Sequence, residues 1–315
     1  MEPKKLSFVI PCYRSEGTVG PVIDEICAVM GKRSALDYEI IAVSDCSPDR
    51  VFSVLTDIAA NNSRVTAVEL AKNMGRIAAL MAGFSLMTGD IAVVLDDDGQ
   101  CPMDHLFELT DALGDEFDVA IADYPVKKQS AFKNFGSHVN EKMTCYVIDK
   151  PKELHFTNFM ALRRYIVNEI LRYENPYPYM TGLILRTTST KRIVNVPMEE
   201  RERLSGTTTY TFKKLFGHWL NGLTAFSVKP LRVATAVGVF TAIAGFLLGL
   251  VTVIRKILNP SDILAGYSSL LSVLLFVGGV IMLMLGMLGE YIGRSYISIN
   301  KSPQYVIRSI VRKED

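Results

Sequence analysis

Three consecutive aspartates, Asp96, Asp97 and Asp98, directly follow an apolar run at residues 91–95. An apolar, β-branched run of this length predicts a buried strand, and an open α/β sheet binds its ligand at the carboxyl ends of such strands. Carboxylates this close together repel one another unless a cation or several hydrogen-bond donors compensate. A hard divalent cation shared with phosphate oxygens, the usual Mg²⁺ arrangement, would do so. The alternative is an acidic turn that caps the following helix.

The residues around these aspartates alternate between strand and helix patterns. Polar turns after the first, second and fourth predicted strands would open on one edge of a sheet, where Tyr13, Asp45, Asp96 and Asp98 could meet. Strands that alternate with helices of 10 to 15 residues indicate βαβ units, and therefore an α/β fold with a mostly parallel sheet. The predicted strands are residues 6–10, 38–43, 65–70, 91–95 and 118–122, and the predicted helices are residues 18–30, 50–60 and 75–87.

The pattern becomes less regular after Pro125, with predicted helices at residues 132–146 and 163–173. Residues 211–226 carry large apolar side chains on one side and two lysines on the other, which predicts a helix that lies in the membrane interface. A helix packed beneath the preceding domain is the alternative. Residues 303–313 are a second candidate for such an interface helix.

Two apolar stretches, residues 233–254 and 268–289, contain no charged residue, and each is long enough to cross a bilayer as a helix. A buried hairpin in a soluble core is the alternative. Lysines and arginines flank the outer ends of this pair, whereas the connecting loop offers only Arg255 and Lys256. The positive-inside tendency therefore places both chain ends in the cytoplasm. These features predict a multi-pass protein of the inner (cytoplasmic) membrane with its catalytic head in the cytoplasm.

Four segments follow from these patterns. They are a cytoplasmic head at residues 1–210, an amphipathic interface helix at 211–232, two transmembrane helices with a short extracytoplasmic loop at 233–289, and a basic amphipathic tail at 290–315. The net charge is +1, and the sequence has no cluster of basic residues typical of nucleic-acid binding, so this function is not expected. The five cysteines lack metal-ligand spacing, which suggests a reducing cytoplasm. The N-terminus lacks the apolar core of a signal peptide, so we do not expect it to be exported.

A set of short motifs extends in a fixed order along nearly the whole chain. They are FVIPCY at residues 8–13, VSDCSPD at 43–49, NMGR at 73–76, DDDGQCP at 96–102, RERLSG at 201–206 and GMLGEYIGR at 286–294. Together with the two apolar spans, this set resembles the family-2 glycosyltransferases, which have the Rossmann-like GT-A fold with helices flanking the sheet. The resemblance is strongest to membrane-anchored polyprenyl-phosphate enzymes, similar to dolichyl-phosphate mannose synthase and undecaprenyl-phosphate sugar transferases.

This resemblance implies roles for the matching residues. Asp45 would accept a hydrogen bond from the nucleotide base, and Asp96 and Asp98 would hold the donor diphosphate through Mg²⁺ or Mn²⁺. Arg203 is the expected catalytic arginine near the phosphates, because a fork of donors suits an oxyanion. The other residues expected at the donor are Pro11, Tyr13, Lys72, Arg76 and Arg201. Solvated surface charges are the alternative for Lys72, Arg76 and Arg201.

Two positions depart from the family pattern. Asp97 stands where relatives have alanine, and it could tune metal binding or face solvent. Asn158 stands where many relatives have an aspartate as the proposed base, and an amide cannot take a proton. A phosphate monoester has a second pKa near 6, so a lipid phosphate is mostly a dianion at neutral pH and needs positioning more than a base. We therefore expect catalysis without a base, with Asn158 donating a hydrogen bond to the acceptor phosphate or the sugar. His155 is a rival base, although a lone histidine beside apolar residues is more often structural.

The function that these features predict is inverting transfer of a sugar from a nucleotide diphosphate, with UDP favoured over GDP, to polyprenyl (undecaprenyl) phosphate. The expected partners are this nucleotide-sugar donor, the polyprenyl phosphate, the membrane, and further copies of the chain in a homo-oligomer, since relatives form tetramers. A processive polysaccharide synthase is an alternative, but it normally has more spans and a Gln-x-x-Arg-Trp motif. A non-catalytic membrane scaffold is the other alternative, and the intact Asp96/Asp98 pair argues against it.

Overall fold

A computed structural model describes residues 5–124, 150–176, 178–202, 229–258, 267–300 and 302–313. The predicted helices at 132–146 and 211–226, and the expected catalytic Arg203, lie outside these residues. The chain divides into two compact units. One unit, which contains the head, comprises Met1–Gly217 and Lys301–Asp315, and the other comprises His218–Asn300.

The first unit is built on one eight-stranded sheet with the order β7-β5-β6-β4-β1-β2-β3-β8. Strands β1 to β4 are parallel to one another, as predicted. Strand β6 is antiparallel to both β4 and β5, and β8 is antiparallel to β3. The strands are β1 (Lys5–Cys12), β2 (Asp37–Ser44), β3 (Val65–Leu70), β4 (Ile91–Val94), β5 (Val119–Asp123), β6 (Met160–Arg163), β7 (Ile193–Pro197) and β8 (Ile307–Arg312).

Helices connect the parallel strands and pack on the sheet through apolar faces. The described helices of the first unit are α1 (Val19–Met30), α2 (Val51–Asn61), α3 (Arg76–Leu86), α4 (Leu106–Asp111), α5 (Arg164–Leu171) and α6 (Met180–Thr187). Helix α3 lies close to the sheet at Gly83, where an added Cβ would be only 2.3 Å from Val9 Cγ1. This glycine therefore sets the depth at which α3 lies against β1.

The strand order places a ligand crevice beside β1. The chain passes from β1 to β2 and β3 on one side and then returns to β4 on the other side. In an open α/β sheet, such a reversal leaves a crevice outside the carboxyl ends of the strands. The antiparallel strand β6 begins at this same edge, so the residues that precede it join the turns after β1, β2, β4 and β5.

The prediction of an interface helix at residues 303–313 is wrong, because residues 307–312 form strand β8. Exposure alternates residue by residue along β8, which is the period of a strand. The open edge of β3 supplies the unpaired backbone groups that β8 needs, and Val68 pairs with Ile310. The Gln304 side chain fixes the approach to β8, since it donates hydrogen bonds to the backbone oxygens of Tyr173 and Asn175.

The second unit contains helices α7 (Lys229–Leu258) and α8 (Tyr267–Ile299). Among the described residues, one helix segment, Phe276–Ile299, is long and apolar enough to cross a membrane, and Leu231–Leu247 is a shorter apolar segment. The two helices pack closely at Gly238, where an added Cβ would lie 2.7 Å from Met284 Cε. Large apolar side chains such as Phe240 and Met282 remain more than 70% exposed in this unit, and exposed apolar surface of this kind marks an interface with protein or membrane.

Candidate active site

The carboxylate of Asp96, just beyond β4, is held from both sides. Arg76 Nε donates to Oδ1 at 2.8 Å, and Asn158 Nδ2 donates to Oδ2 at 2.6 Å. Arg76 is the first residue of α3, and Asn158 lies just before β6. The three side chains therefore come from three separate segments that meet at the crevice. Arg76 Nη2 is buried there and has no hydrogen-bond partner in the described part of the chain.

The other two aspartates of the run face different partners. Asp97 Oδ2 accepts a hydrogen bond from the Tyr13 backbone N–H at 3.0 Å, which joins the turn after β4 to the turn after β1. Burial raises the pKa of Asp97 to about 6. Asp98 Oδ1 accepts from the Gln100 N–H at 3.1 Å. Asp97 is therefore a connector between two loops, and the neighbouring Asp96 and Asp98 remain as the candidate pair for a cation.

Asp45, at the end of β2, is almost fully buried, with 3% of its surface exposed. Its two carboxylate oxygens accept hydrogen bonds from the backbone N–H groups of Met74 and Gly75, each at 2.8 Å. Gly75 has φ +92°, a conformation that favours glycine and directs both N–H groups to one carboxylate. Burial raises the pKa of Asp45, while these two hydrogen bonds act in the opposite direction. Asp45 therefore anchors the loop that leads to Arg76.

The remaining expected donor-binding residues have different surroundings. Pro11 is buried within β1, opposite Val43 of β2. The Tyr13 side chain is 41% exposed at the crevice, and the Arg14 guanidinium carbon lies 5.5 Å from the centre of its ring. Lys72 is exposed on the loop after β3.

Arg201 lies in an ion-pair cluster and does not contact Asp96. Arg201 Nη1 lies 2.5 Å from Glu25 Oε1, and Nη2 pairs with Asp104. The backbone adds a hydrogen bond from Arg201 N–H to the Gln100 oxygen at 3.1 Å. In this structure Arg201 therefore connects the segment after β7 to α1 and to the turn that carries Asp98.

The structure adds a histidine–carboxylate pair at the same edge of the sheet. His155 Nδ1 lies 3.0 Å from Asp123 Oδ1, and Asp123 is the last residue of β5. Asn195 of β7 fixes the backbone of His155, because it accepts from the His155 N–H at 2.9 Å and donates to the His155 oxygen at 2.7 Å. Sequence reasoning considered His155 as a base but missed both partners, since nothing in their spacing links residues 123, 155 and 195.

Tyr124 and Cys101 also belong to the surroundings of the aspartates. Burial, followed by the proximity of Cys101, Glu200 and Asp96, raises the pKa of Tyr124. Burial also raises the pKa of Cys101, so this thiol stays neutral beside the carboxylates. Tyr124 follows β5 directly, and its position at a sheet edge is the signal that sequence reasoning could have used.

The aspartate pair fits a cation that is completed by a ligand's phosphates. No group of three or more His, Cys, Asp or Glu side chains in the described residues could hold a metal ion by itself. Mg²⁺ is usually bound through one or two carboxylates together with substrate phosphates rather than by an all-protein cage. Asp96 and Asp98 supply that number of carboxylates at a ligand crevice, so the residues present are compatible with such an ion.

Comparison with known protein families shows which family the chain belongs to. Residues 7–171 match glycosyl transferase family 2, and residues 229–295 match the GtrB C-terminal hairpin. The chain therefore belongs to glycosyl transferase family 2 and is a glycosyltransferase. This confirms the resemblance drawn from the motifs.

Two curated relatives match over nearly their whole length. The putative glycosyltransferase CsbB of Bacillus subtilis is 32% identical over 308 residues, which cover 98% of this chain and 92% of the relative. The undecaprenyl-phosphate 4-deoxy-4-formamido-L-arabinose transferase of Klebsiella pneumoniae is 31% identical over 317 residues, which cover 99% and 95%. The chain is thus homologous to undecaprenyl-phosphate sugar transferases.

Solved structures support the GT-A-like fold. Glucosyl-3-phosphoglycerate synthase from Mycobacterium tuberculosis, crystallised with UDP, superposes with a TM-score of 0.54 at 17% identity. The match covers 71% of this chain and 79% of that one. The same synthase crystallised with Mn²⁺ and UDP-glucose gives a TM-score of 0.51 at 18% identity, over 69% and 76% of the two chains.

Proposed function

We propose that the protein transfers one sugar, with inversion, from a nucleoside diphosphate sugar to undecaprenyl phosphate at the cytoplasmic face of the membrane. The observation that carries this proposal is the Asp96 carboxylate, held by Arg76 and Asn158 at the crevice beside β1. The names of the curated relatives support the lipid-phosphate acceptor. The UDP-bound structure of the more distant synthase supports UDP as the donor nucleotide.

In this proposal the donor occupies the crevice between the turns after β1, β2 and β4. The loop anchored by Asp45 and the exposed Tyr13 ring border the nucleotide, and Arg76 reaches the diphosphate. The unpartnered Arg76 Nη2 supports this role, because a buried donor without an acceptor is costly and a phosphate oxygen would satisfy it. Lys72 and Arg203 would add positive charge near the diphosphate, and Pro11 keeps the end of β1 extended beneath it.

Asp96 and Asp98 would hold a divalent ion, Mg²⁺ or Mn²⁺, against the donor diphosphate. When bound, such an ion neutralises charge that develops on the leaving nucleoside diphosphate. Asn158 donates to Asp96 in the structure, so we assign it to orienting this carboxylate, whereas the sequence had predicted that it donates to the acceptor or the sugar. At neutral pH the acceptor phosphate is mostly a dianion and can attack the sugar carbon without a base.

We further propose that α7 and α8 both cross the membrane as a hairpin and leave both chain ends in the cytoplasm. Helix α7 has 30 residues and would extend about 45 Å, which exceeds the hydrocarbon core. The matched hairpin family supports this arrangement. A cysteine introduced at Ser261 should react with an impermeant maleimide only from outside the cell, and reaction only from inside would reject the topology. The glycine-rich spans permit close packing between copies of the chain. The proposed homo-oligomer is a tetramer, as the resemblance to the family implies, and light scattering in detergent would test it.

The experiment is sugar transfer by the full-length protein in detergent. Undecaprenyl phosphate is incubated with a panel of UDP- and GDP-sugars, with Mg²⁺, with Mn²⁺ or with EDTA, and lipid products are followed by mass spectrometry. We expect one metal-dependent lipid product that carries a single sugar on the phosphate. If no donor gives a product, and Asp96→Asn binds nucleotide as the wild type does, the protein is better described as a membrane scaffold.

A further inference from the structure

We propose that His155 is a catalytic residue whose Nε2 takes the proton of a monoanionic acceptor phosphate, with Asp123 as its positioning partner. This proposal rests on the transfer reaction proposed above. It concerns the acceptor side of the site, where Asn158 leaves the chain without the aspartate of its relatives.

The surroundings of His155 differ from those of a structural histidine. Its side chain is 50% exposed, so the imidazole contributes little to the apolar core. Nevertheless its ring is oriented by the contact to Asp123, and its backbone is fixed by the two hydrogen bonds with Asn195. Fixing an exposed ring in this way costs conformational entropy with little gain from burial. Such an arrangement is typical of a side chain that is oriented for chemistry.

The contact to Asp123 selects the tautomer that a base requires. With Nδ1–H donating to the carboxylate, Nε2 carries the lone pair that can accept a proton. A base that is oriented by a third group is the general arrangement in acid–base catalysis, and the carboxylate stabilises the imidazolium once it forms. In the described parts of the head, no group hydrogen-bonds to Nε2.

The position of the pair is also appropriate. Asp123 ends β5 on the edge where β4 ends at Asp96, and His155 lies three residues before Asn158, whose amide contacts Asp96. Asp123 is the charged group in contact with the imidazole among the described residues, and β7 contributes only the neutral Asn195. The pair therefore lies where an acceptor phosphate would approach a donor held at Asp96.

The proton balance of the step is simple. A phosphate oxygen forms the bond to the anomeric carbon while the bond from that carbon to the diphosphate breaks. The nucleoside diphosphate leaves with the electron pair, the P–OH proton passes to Nε2, and the imidazolium later releases it to water. A dianionic phosphate has no proton to lose, and a protonated imidazole cannot accept one, so His155 matters where the phosphate monoanion and a neutral imidazole coexist, around pH 6.

The test compares the pH profiles of wild type and His155→Gln in the transfer assay with undecaprenyl phosphate. We expect His155→Gln to lose about tenfold in kcat/KM for the acceptor at about pH 6 and to match the wild type within about twofold at about pH 8.5. Asp123→Asn should lose activity in the same direction, because an amide no longer favours the required tautomer. His105→Gln is the matched control, because His105 is another partly exposed histidine paired with a carboxylate, and it should leave the profile unchanged.

Binding of UDP and thermal unfolding, measured on every variant, show whether the fold is intact. If His155→Gln does not fold, the profile of Asp123→Asn decides the question. Parallel profiles of wild type and variants, whether equal or reduced by a constant factor, would overturn the proposal and leave the transfer reaction standing. Absence of transfer by the wild type at every pH would instead reject the proposed function.

Discussion

The three neighbouring carboxylates just beyond the end of β4, Asp96, Asp97 and Asp98, each contact different groups. Asp96 contacts two side chains, Asp97 accepts a backbone N–H from the turn after β1, and Asp98 accepts one within its own turn. Successive side chains beyond a strand point in different directions, so three like charges need not converge on one point. The donor site that we propose therefore depends on Asp96 and Asp98, and the shape of its walls depends on Asp97.

Replacing Asn158 tests its assignment to Asp96. We expect Asn158→Asp to lower transfer at neutral pH about tenfold, because a second carboxylate would then stand within hydrogen-bond distance of Asp96 and like charges repel. Asn158→Ala removes the hydrogen bond without adding charge and should have a smaller effect. Initial rates at saturating metal measure both variants. If Asn158→Asp instead transferred sugar many-fold faster than the wild type, a base at this position would be limiting. That result would contradict the proposal that catalysis needs no base.

For some residues the sequence predicted a position at the crevice, and for others it missed the contacts that the structure shows, for a physical reason. Asp96 was placed at the sheet edge because it follows an apolar strand pattern, and Arg76 was expected near the donor because it lies in a family motif. Their roles at the donor stay predictions. The partners of Arg201 and His155 were not predicted. Glu25 and Asp123 come from elements far away in sequence, and only the completed sheet brings these ionic partners together.

At the scale of elements, the packing of α3 on β1 depends on the lack of a side chain at Gly83. We expect Gly83→Ala to lower the free energy of unfolding by about 2 kcal/mol, since its Cβ would lie 2.3 Å from Val9 Cγ1. Gly20→Ala is the matched control in α1, where an added Cβ meets nothing within 4 Å, and it should stabilise by about 0.5 kcal/mol. Denaturant unfolding in detergent measures the free energy of unfolding of both variants. Equal changes in the two variants would contradict the close contact of α3 with β1.

The start of β5 is held by a carboxylate whose charge matters to stability. Burial alone would raise the pKa of Asp118, but hydrogen bonds from Arg192 and Thr188 lower it to about 2. A carboxyl group whose pKa is lower in the folded than in the unfolded protein stabilises the fold at pH values above its unfolded pKa, near 3.9. This contribution is lost as the pH falls toward about 2, the pKa in the folded protein.

Asp118→Asn should therefore cost about 2 kcal/mol at neutral pH, and the difference from wild type should shrink below about pH 4. Asp111→Asn is the control, because Asp111 also pairs with an arginine but is 54% exposed, and its loss should cost under about 0.5 kcal/mol. Thermal unfolding as a function of pH measures both. A penalty for Asp118→Asn that stays constant down to about pH 2 would contradict this account.

Strand β8 shows where periodicity misleads. The sequence of residues 303–313 mixes apolar and basic residues and is compatible with one apolar helical face, which favoured an interface helix. What decides the structure is the open edge of β3, which is distant in sequence and invisible to a local pattern. The parallel core β1–β4 was predicted because its apolar runs and capping turns are local signals. The antiparallel β6 was missed because four residues give too short a pattern.

At the scale of the whole molecule, the catalytic sheet is completed by residues that follow the helical hairpin in sequence. Ala71 N–H donates to the Val306 oxygen at 2.8 Å, directly before the loop that Asp45 anchors. A chain that ends at residue 300 should therefore lose at least about tenfold in UDP affinity, because a frayed β3 no longer positions that loop. A chain that ends at Arg312 retains β8 and is the control. Equal UDP affinity of both chains by calorimetry would contradict this coupling.

The most direct measurement of the central claim is a paired acceptor experiment with the full-length protein, a pool of UDP-sugars and Mn²⁺. We predict a lipid product with undecaprenyl phosphate, no product with undecaprenol, and at least about a hundredfold less product from Asp96→Asn. Equal products from undecaprenyl phosphate and undecaprenol, or undiminished transfer by Asp96→Asn, would contradict an enzyme that joins a sugar held at Asp96 to a lipid phosphate.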